Sequence, residues 1–281
     1  MLAFEDALDR LLQNVPKVQA ERVELSSAFR RVLAQDLVAP ADLPGFDYSA
    51  MDGYALHSDS LVGDGPYELP VLGESQTGHP APALSANSAC RIFTGAQIPA
   101  FADSIIMQED AVRVADRIRF SSRPKPGAHI RHKGDDIRQG AVVLQPGTRL
   151  APAQLALAAS MDCSHLWVAR SPVVTILSTG DELRYPGESA APAQIPESVS
   201  VAISAMARSA GAHVRVSPFA RDDRDLTIRL LADALRGTDL LITIGGASVG
   251  DHDVVRPALE SLGVELDFWK VKIKPGKPIA V

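Results

Sequence analysis

The stretch Pro172-Val173-Val174-Thr175-Ile176-Leu177-Ser178-Thr179-Gly180-Asp181-Glu182 carries an apolar, β-branched run that stops on a polar turn containing glycine. Such a run reads as a strand buried on both faces. Downstream, helical spacing over residues 198–210 ends at Gly211, and a strand is expected over 213–216. A helix follows over 223–235, a strand over 239–244, a helix over about 253–262 and a last strand near 264–272. Strands alternating with helices predict βαβ units, hence a doubly wound, mostly parallel three-layer α/β domain over residues 170–281.

Ligands of open α/β sheets bind outside the carboxyl ends of the strands. Here those ends read Ser178-Thr179-Gly180-Asp181-Glu182, then Arg221-Asp222-Asp223, then Gly245-Gly246-Ala247-Ser248-Val249-Gly250-Asp251-His252-Asp253. The fourth reads Lys270-Val271-Lys272-Ile273-Lys274-Pro275-Gly276-Lys277-Pro278. Glycines at 245, 246 and 250 let backbone N–H groups approach an anion at the start of a helix. Carboxylates on three adjacent rims suit Mg²⁺, and lysines on the fourth suit an oxyanion or phosphate. Each piece has a plainer reading. Glycines serve turn geometry, Asp222 or Asp223 serves as a helix N-cap, and Lys270 and Lys272 are solvated edge charges. Four polar rims on one edge favour the functional reading.

Upstream of residue 170 the chain changes character. Phe4, Ala7, Leu8, Leu11, Leu12 and Val15 lie at helical spacing, stopped by Pro16, and a second short helix is expected from Ser26. Over residues 45–139, Gly, Pro, Ser and Asp punctuate short apolar stretches at 67–72, 104–108 and 117–120, which predicts a β-rich inserted domain. A helix opened by Pro152 and a strand at 166–168 follow. Residues 1–44 and 140–169 then form one composite, elongated domain around the insertion. The 281 residues suffice for two or three domains.

Lys+Arg number 28 against 34 Asp+Glu, a formal charge of −6, with a pI of about 5.6. That balance argues against gripping nucleic acid or acidic membranes by bulk charge. No run approaches the ~18 apolar residues of a membrane span. The acidic start MLAFEDALDR is unlike a signal peptide, which predicts a cytoplasmic protein. Cys90 and Cys163 form no CxxC pair and read as small semi-buried hydrophobes. The seven histidines show no HxH or HxxxH spacing, and His252 alone falls in a rim.

With these residues assembled, the chain resembles the molybdenum-insertion enzymes that complete molybdenum cofactor, the MoeA family, which is similar to the gephyrin E domain. The blocks that carry the resemblance run in order along nearly the whole chain. They are Phe46-Asp47-Tyr48-Ser49-Ala50-Met51-Asp52-Gly53-Tyr54-Ala55, Arg91-Ile92-Phe93-Thr94-Gly95-Ala96, Met107-Gln108-Glu109 and Lys133-Gly134-Asp135-Asp136-Ile137, followed by the 178–183 turn, the 245–253 loop and Lys274-Pro275-Gly276-Lys277-Pro278. The resemblance implies an elongated homodimer, with residues 1–44 and 140–169 as dimerisation domain, and a cleft shared between subunits. The implied reaction takes adenylated molybdopterin and molybdate, inserts the metal at the dithiolene sulfurs and releases AMP, with Mg²⁺ on Glu182 and Asp253. An upstream molybdopterin-adenylylating protein is the implied donor. The family's functional positions fall on Asp52, Thr94, Asp136, Glu182, Asp222 and Asp253. Substrate contacts fall on Ser178, Thr179, Gly180, Asp181, Gly245, Gly246, Ser248, Gly250, Lys270, Lys274, Pro275 and Lys277.

Two departures stand out. The family's I-x-D-S/T-N block reads Ile195-Pro196-Glu197-Ser198-Val199 here, placing Val199 where an amide would face the nucleotide. The chain also stops at Val281, just past the KPGKP turn, which reads as a C-terminal truncation. The expectations are exposed apolar surface and an unpaired strand edge near Val281, with little molybdenum insertion. A non-catalytic molybdopterin-binding or scaffold relative is the competing reading. A nicotinamide-dependent dehydrogenase is weaker, since the late loop reads GGxxxG rather than GxGxxG. The remaining expectations are geometric. Asp222 and Asp253 share the carboxyl edge of one parallel sheet, and Asp52 and Thr94 belong to the insertion, reaching Glu182 only across a two-fold axis.

Overall fold

The computed structural model of the chain describes residues 1–221, 223–246, 254–274 and 279–281. It divides into two compact units. One comprises Met1–Ala34, Arg149–Ala151 and Trp167–Val281, the other Gln35–Thr148 and Pro152–Leu166.

Helix α1 (Phe4–Gln13) ends ahead of Pro16, with Glu5 and Asp6 in its first turn and Arg10 in its last, the charge order that suits the helix dipole. Ala7 on α1 packs with Phe268 and Val271. The helix expected from Ser26 is a single 3₁₀ turn, Leu25–Ser27. Arg30 adopts φ +63°, and the chain then runs as bridges, Val32 with Arg149 and Leu33 with Val168. Arg30 N–H and Ala34 N–H find partners across the chain, in Leu150 O and Trp167 O, so the spacing of 28–33 buries Ala28 and Leu33 while leaving Phe29 exposed.

In the second unit, six strands form one sheet: β1 (Gly53–Leu56), β2 (Tyr67–Ser75), β3 (Ala89–Ile92), β4 (Ser104–Met107), β5 (Ala111–Val114) and β6 (Arg117–Phe120). Their order is β4-β1-β3-β2-β6-β5, with β2 and β3 parallel and the other pairs antiparallel. Tyr54, Leu56, Leu69, Ile118 and Phe120 fill its main core, where the Tyr67 and Phe120 rings lie 5.4 Å apart. Alternation along β6, exposed-buried-exposed-buried, is that of a sheet with one covered face. Helix α2 (Pro152–Ser160) begins on proline, which suits a first turn because the missing N–H has no partner there.

In the first unit, β7 (Val173–Ser178) lies between β8 (His213–Val216) and β9 (Leu240–Ile244), parallel to both. Val174 through Ser178 are buried, as the unbroken apolar run predicts. Three helices, α3 (Val199–Ala210), α4 (Arg224–Leu235) and α5 (Val255–Ser261), complete the pattern. α3 closes on Gly211 at φ +99°, a left-handed position that glycine occupies without a Cβ penalty. Asp223 caps α4, its carboxylate accepting the Leu226 N–H at 2.9 Å. Leu177 packs with Ala220, Leu231 and Ala258.

The strand expected near 264–272 is absent. Lys270 sits at φ +68°, which breaks an extended run, and Val271 bridges Leu2 while Trp269 bridges Ala280. Lys270, Lys272 and Lys274 of the expected fourth rim therefore lie outside the sheet. The strand edge expected to be unpaired at the chain end is instead bonded: Lys270 N–H donates to Ile279 O at 2.9 Å and Val281 N–H to Phe268 O at 3.0 Å. The Ile279 and Val281 side chains are exposed, as expected.

The starts of β7 and β9 are locked by one carboxylate. Asp239 accepts both Arg170 guanidinium nitrogens at 2.7 and 2.6 Å and the Val173 N–H at 2.7 Å. The Arg170 bonds, then the Val173 bond, pull its carboxyl from 3.8 to about 2. Because the folded value is depressed, this contribution is present in full above the ordinary value and is lost as pH falls through about 2. Asp239→Asn is expected to lower the melting temperature by a few degrees at pH 7. The deficit should shrink between pH 4 and pH 2, read as the difference between the two proteins' denaturant midpoints along that series. An unchanged deficit at low pH would contradict the carboxylate's role.

Candidate functional site

In the β-rich unit, the chain leaves β3 into a four-residue turn, Phe93-Thr94-Gly95-Ala96, closed by Ala96 N–H to Phe93 O at 2.9 Å. Gly95, third in the turn, takes φ +81°, the conformation a type II turn demands there. The turn aims Thr94 at Asp52, at the head of β1. Asp52 Oδ1 accepts the Thr94 N–H at 2.7 Å and the Thr94 hydroxyl at 2.8 Å. These bonds, with Arg91 nearby, hold the carboxyl below its ordinary value. Arg91 donates to Gly53 O at 2.8 Å and Gln108 Oε1 at 2.7 Å, its guanidinium centre lying 4.7 Å from the Phe93 ring centroid and 5.2 Å from that of Tyr54. Gln108 N–H in turn donates to Asp52 O at 3.0 Å. Three sequence blocks thus meet in one hydrogen-bonded cluster.

Asp136 lies in the same unit, paired with Arg131 at 2.8 Å. Its loop is pinned by two acids that sequence reasoning passed over. Asp47 accepts the Lys133 N–H at 2.7 Å and contacts the His132 ring at 3.2 Å, while Asp42 accepts the Gln139 N–H at 2.8 Å. The Lys133 N–H bond, with help from the His132 ring, holds Asp47 below its ordinary value.

In the other unit, the order β8-β7-β9 places a topological switch point where β7 and β9 end. Thr179 donates from its N–H and hydroxyl to Ile244 O, at 2.9 and 3.3 Å. Gly245, at φ +91°, faces it so closely that a Cβ would lie 2.6 Å from Thr179 Oγ1. Gly246 also takes a left-handed φ, +64°. Gly180 N–H reaches Ala220 O at 3.0 Å, and Arg221 donates to the Asp181 backbone oxygen at 2.7 Å. A Cβ on Gly180 would lie 2.4 Å from the Glu182 carboxylate, so glycine leaves the space over which exposed Glu182 folds. Ser178, 1% exposed, has a buried hydroxyl without a partner among the described residues at this point.

Asp52 and Thr94 come together as neighbours in one unit, and Ser178, Thr179, Gly180, Glu182 and Gly245 gather in the other. Asp222, Ser248, Gly250, His252, Asp253, Pro275 and Lys277 lie outside the described residues, and with them the expected sharing of one edge by Asp222 and Asp253. Lys274 is exposed, and Lys270 places its ammonium 5.1 Å from the Trp269 ring centroid, whose other neighbour is Arg256 at 4.7 Å. Arg91 was missed as a site residue, although it stands three positions before Thr94. Cys90 is buried and its thiol is pushed up to about 11 by that burial, consistent with an unreactive hydrophobe. Among the described residues no group of three His, Cys, Asp or Glu side chains forms a metal cage, and no helix is long and apolar enough to cross a membrane.

Comparison with known proteins places these clusters in context. Residues 2–161 match the family model for the MoeA N-terminal region (domain I and II), and residues 175–281 match that for a probable molybdopterin binding domain. The molybdopterin molybdenumtransferase of Haemophilus influenzae is 37% identical over 283 residues, covering 100% of this chain and 69% of the relative. That of Nostoc sp. is 33% identical over 289 residues, covering 100% and 66%. Two crystal structures of the molybdopterin biosynthesis MoeA protein from Pyrococcus horikoshii superpose with TM-scores of 0.88 and 0.86 at 30% and 29% identity. They cover 100% of this chain, which spans 71% and 72% of theirs.

Proposed function

The chain belongs to the MoeA family, and from that membership we propose that it takes adenylated molybdopterin and molybdate, delivers the metal to the dithiolene sulfurs and releases AMP. It is a transferase of molybdenum cofactor biosynthesis. The observation that supports the reaction most is the switch-point rim from Ser178 to Gly246, which lies inside the segment matching the molybdopterin binding domain.

Cleaving a phosphoanhydride beside a metal oxyanion calls for charge neutralisation and positioning rather than a covalent nucleophile. Lys270 and Lys274 attract molybdate in this proposal, and the glycines at 245, 246 and 250 let the chain approach phosphate closely. Asp222 serves the nucleotide end. Mg²⁺ reaches proteins through one or two carboxylates together with substrate phosphates. Exposed Glu182 at the rim fits that habit, and with Asp253 it would hold the ion. Bound there, Mg²⁺ supplies neutralisation of phosphate charge. Asp52, oriented by Thr94, and Asp136, oriented by Arg131, act from the β-rich domain of a second copy in a cytoplasmic homodimer. In this division residues 1–44 and 140–169 form the dimerisation domain, 45–139 the inserted domain and 170–281 the pterin-binding domain. A molybdopterin-adenylylating protein donates the substrate.

The test is AMP formation from adenylated molybdopterin with and without molybdate, by this chain and by the chain extended through the segments its relatives carry. Molybdate-dependent AMP from either supports the reading; its absence from both sinks it. Val199, exposed at the start of α3 where the family carries an amide, favours a second reading, binding without turnover. Substrate retention without AMP release would select it.

A further inference from the structure

One wall of α3 is polar where a packed helix ordinarily presents an apolar stripe. Glu197, one residue before the cap, is followed at helical spacing by Ser200, Ser204 and Arg208. With Tyr185 and Phe219 these line a cavity of about 290 Å³ in the α/β unit. The Tyr185 and Phe219 rings stack with centroids 4.3 Å apart at 23°. Glu197 is 4% exposed. Its carboxylate accepts the Ser200 N–H at 2.8 Å and the Ser200 hydroxyl, and no cation among the described residues forms an ion pair with it. Ser204 is 5% exposed, and its hydroxyl has no partner among the described residues.

A buried carboxylate is costly unless donors satisfy it. Ser200 fills two of its roughly four acceptor positions, which leaves room for a bidentate donor. The cavity is also continuous in sequence with the rim. Ala220, next to Phe219, donates its N–H to Ser178 O at 2.9 Å and accepts the Gly180 N–H at 3.0 Å. A 2-amino-4-oxopteridine carries two parallel N–H donors, N3–H and the 2-amino group, on one edge of a flat bicycle. That edge matches a carboxylate in the way a guanidinium does, and the bicycle suits a space near the low end of the ~300–1,000 Å³ range of ligand pockets.

We propose that this cavity binds the pterin head of the substrate, Glu197 pairing with the N3–H and 2-amino edge, the ring plane lying against Tyr185 and Phe219, and the Ser204 hydroxyl bonding a ring heteroatom. The proposal rests on the reading of the chain as a pterin-handling enzyme. The guanine base carries the same donor edge, so guanosine is a necessary third probe.

The experiment titrates the whole chain with pterin, with lumazine (the 2,4-dioxo analogue, which turns an oxygen toward the carboxylate) and with guanosine, following pteridine fluorescence and competition. Pterin should bind at least tenfold tighter than lumazine, and tighter than guanosine. Glu197→Gln should erase the pterin preference, and Tyr185→Ala should weaken both pteridines about tenfold. In Glu197→Gln the new amide oxygen still accepts the Ser200 N–H, and thermal melting checks that α3 survives; if it does not, Tyr185→Ala, in an exposed loop, carries the test alone. Equal binding of pterin and lumazine, a preference that survives Glu197→Gln, or tighter guanosine binding would overturn the subsite. AMP release measured on the same proteins separates the two ideas. Release that persists in Glu197→Gln with an unchanged substrate KM removes the subsite and leaves the reaction, whereas pterin preference without any AMP release leaves the subsite and removes the reaction.

Discussion

Gly53→Ala is expected to abolish the folded β-rich unit. Gly53 opens β1, a central strand, opposite Met107 on β4 and Ile92 on β3. A Cβ there would lie 2.0 Å from Ile106 O and 3.1 Å from Ile105 Cγ2. The first contact is with a backbone oxygen, which cannot rotate away as a side chain does. Relief requires β1 and β4 to part, which breaks their ladder and opens the cores holding Ala55, Leu56, Ile105 and Ile106. Single substitutions ordinarily cost ~0.5–3 kcal/mol; a clash of this kind belongs to the exceptional class above about 4 kcal/mol, a large share of the ~5–15 kcal/mol that holds a domain together. Gly78→Ala is the control. It sits at positive φ, +82°, unlike Gly53, yet nothing lies within 4 Å of the point its Cβ would occupy, so it should cost only the ~1–2 kcal/mol of a left-handed alanine. Thermal melting and limited proteolysis of both variants read the contrast. A Gly53→Ala protein melting within two or three degrees of the parent would refute the argument.

Gly53 also marks the limit of what the sequence makes legible. Its reason for being glycine is Ile106, more than fifty positions away, and no local pattern records that. Where the cause is local, the reading succeeds. The unbroken run at 173–178 is the central strand, the Gly211 stop ends α3, and Asp223 caps α4. The run at 264–272 has strand-like composition but is irregular, because Lys270 turns left-handed and Val271 pairs with Leu2 at the other end of the chain. The Asp52–Thr94 bond joins two blocks visible in the sequence, yet the turn chemistry at Gly95 is what makes them neighbours. Glu197 belonged to a stretch read only as a departure from a family block. Its burial, and the ring pair that faces it, come from tertiary packing alone.

Asp52→Asn is expected to lower molybdate-dependent AMP release by about 100-fold or more, the scale on which positioned electrostatic groups act. The pH dependence should identify what the carboxylate does. A general base works best with a pKa near the operating pH. Asp52 is driven the other way: both Thr94 donors stabilise its charged form, and its carboxyl lies below the ordinary 3.8. At neutral pH it is a fixed negative charge and hydrogen-bond acceptor, poorly suited to take a proton. The sign follows. Activity that depends on this charge is present in full at neutral pH, and it declines only as pH falls through the depressed carboxyl value, below the usual carboxylate range. Thr94→Val removes the hydroxyl donor at 2.8 Å while leaving the N–H bond. The Asp52 carboxyl should then rise toward the ordinary value, so the acid decline should begin at a higher pH than in the parent. Rate profiles of the parent, Asp52→Asn and Thr94→Val proteins over a range reaching below pH 4 decide the matter, taken in whichever of the chain and its extended form turns over. A parent profile with a limb near pH 6–7 that disappears in Asp52→Asn would make Asp52 a proton acceptor. A uniform loss in Asp52→Asn, with the acid limb displaced upward in Thr94→Val, would make it the charge that holds the reacting group in place.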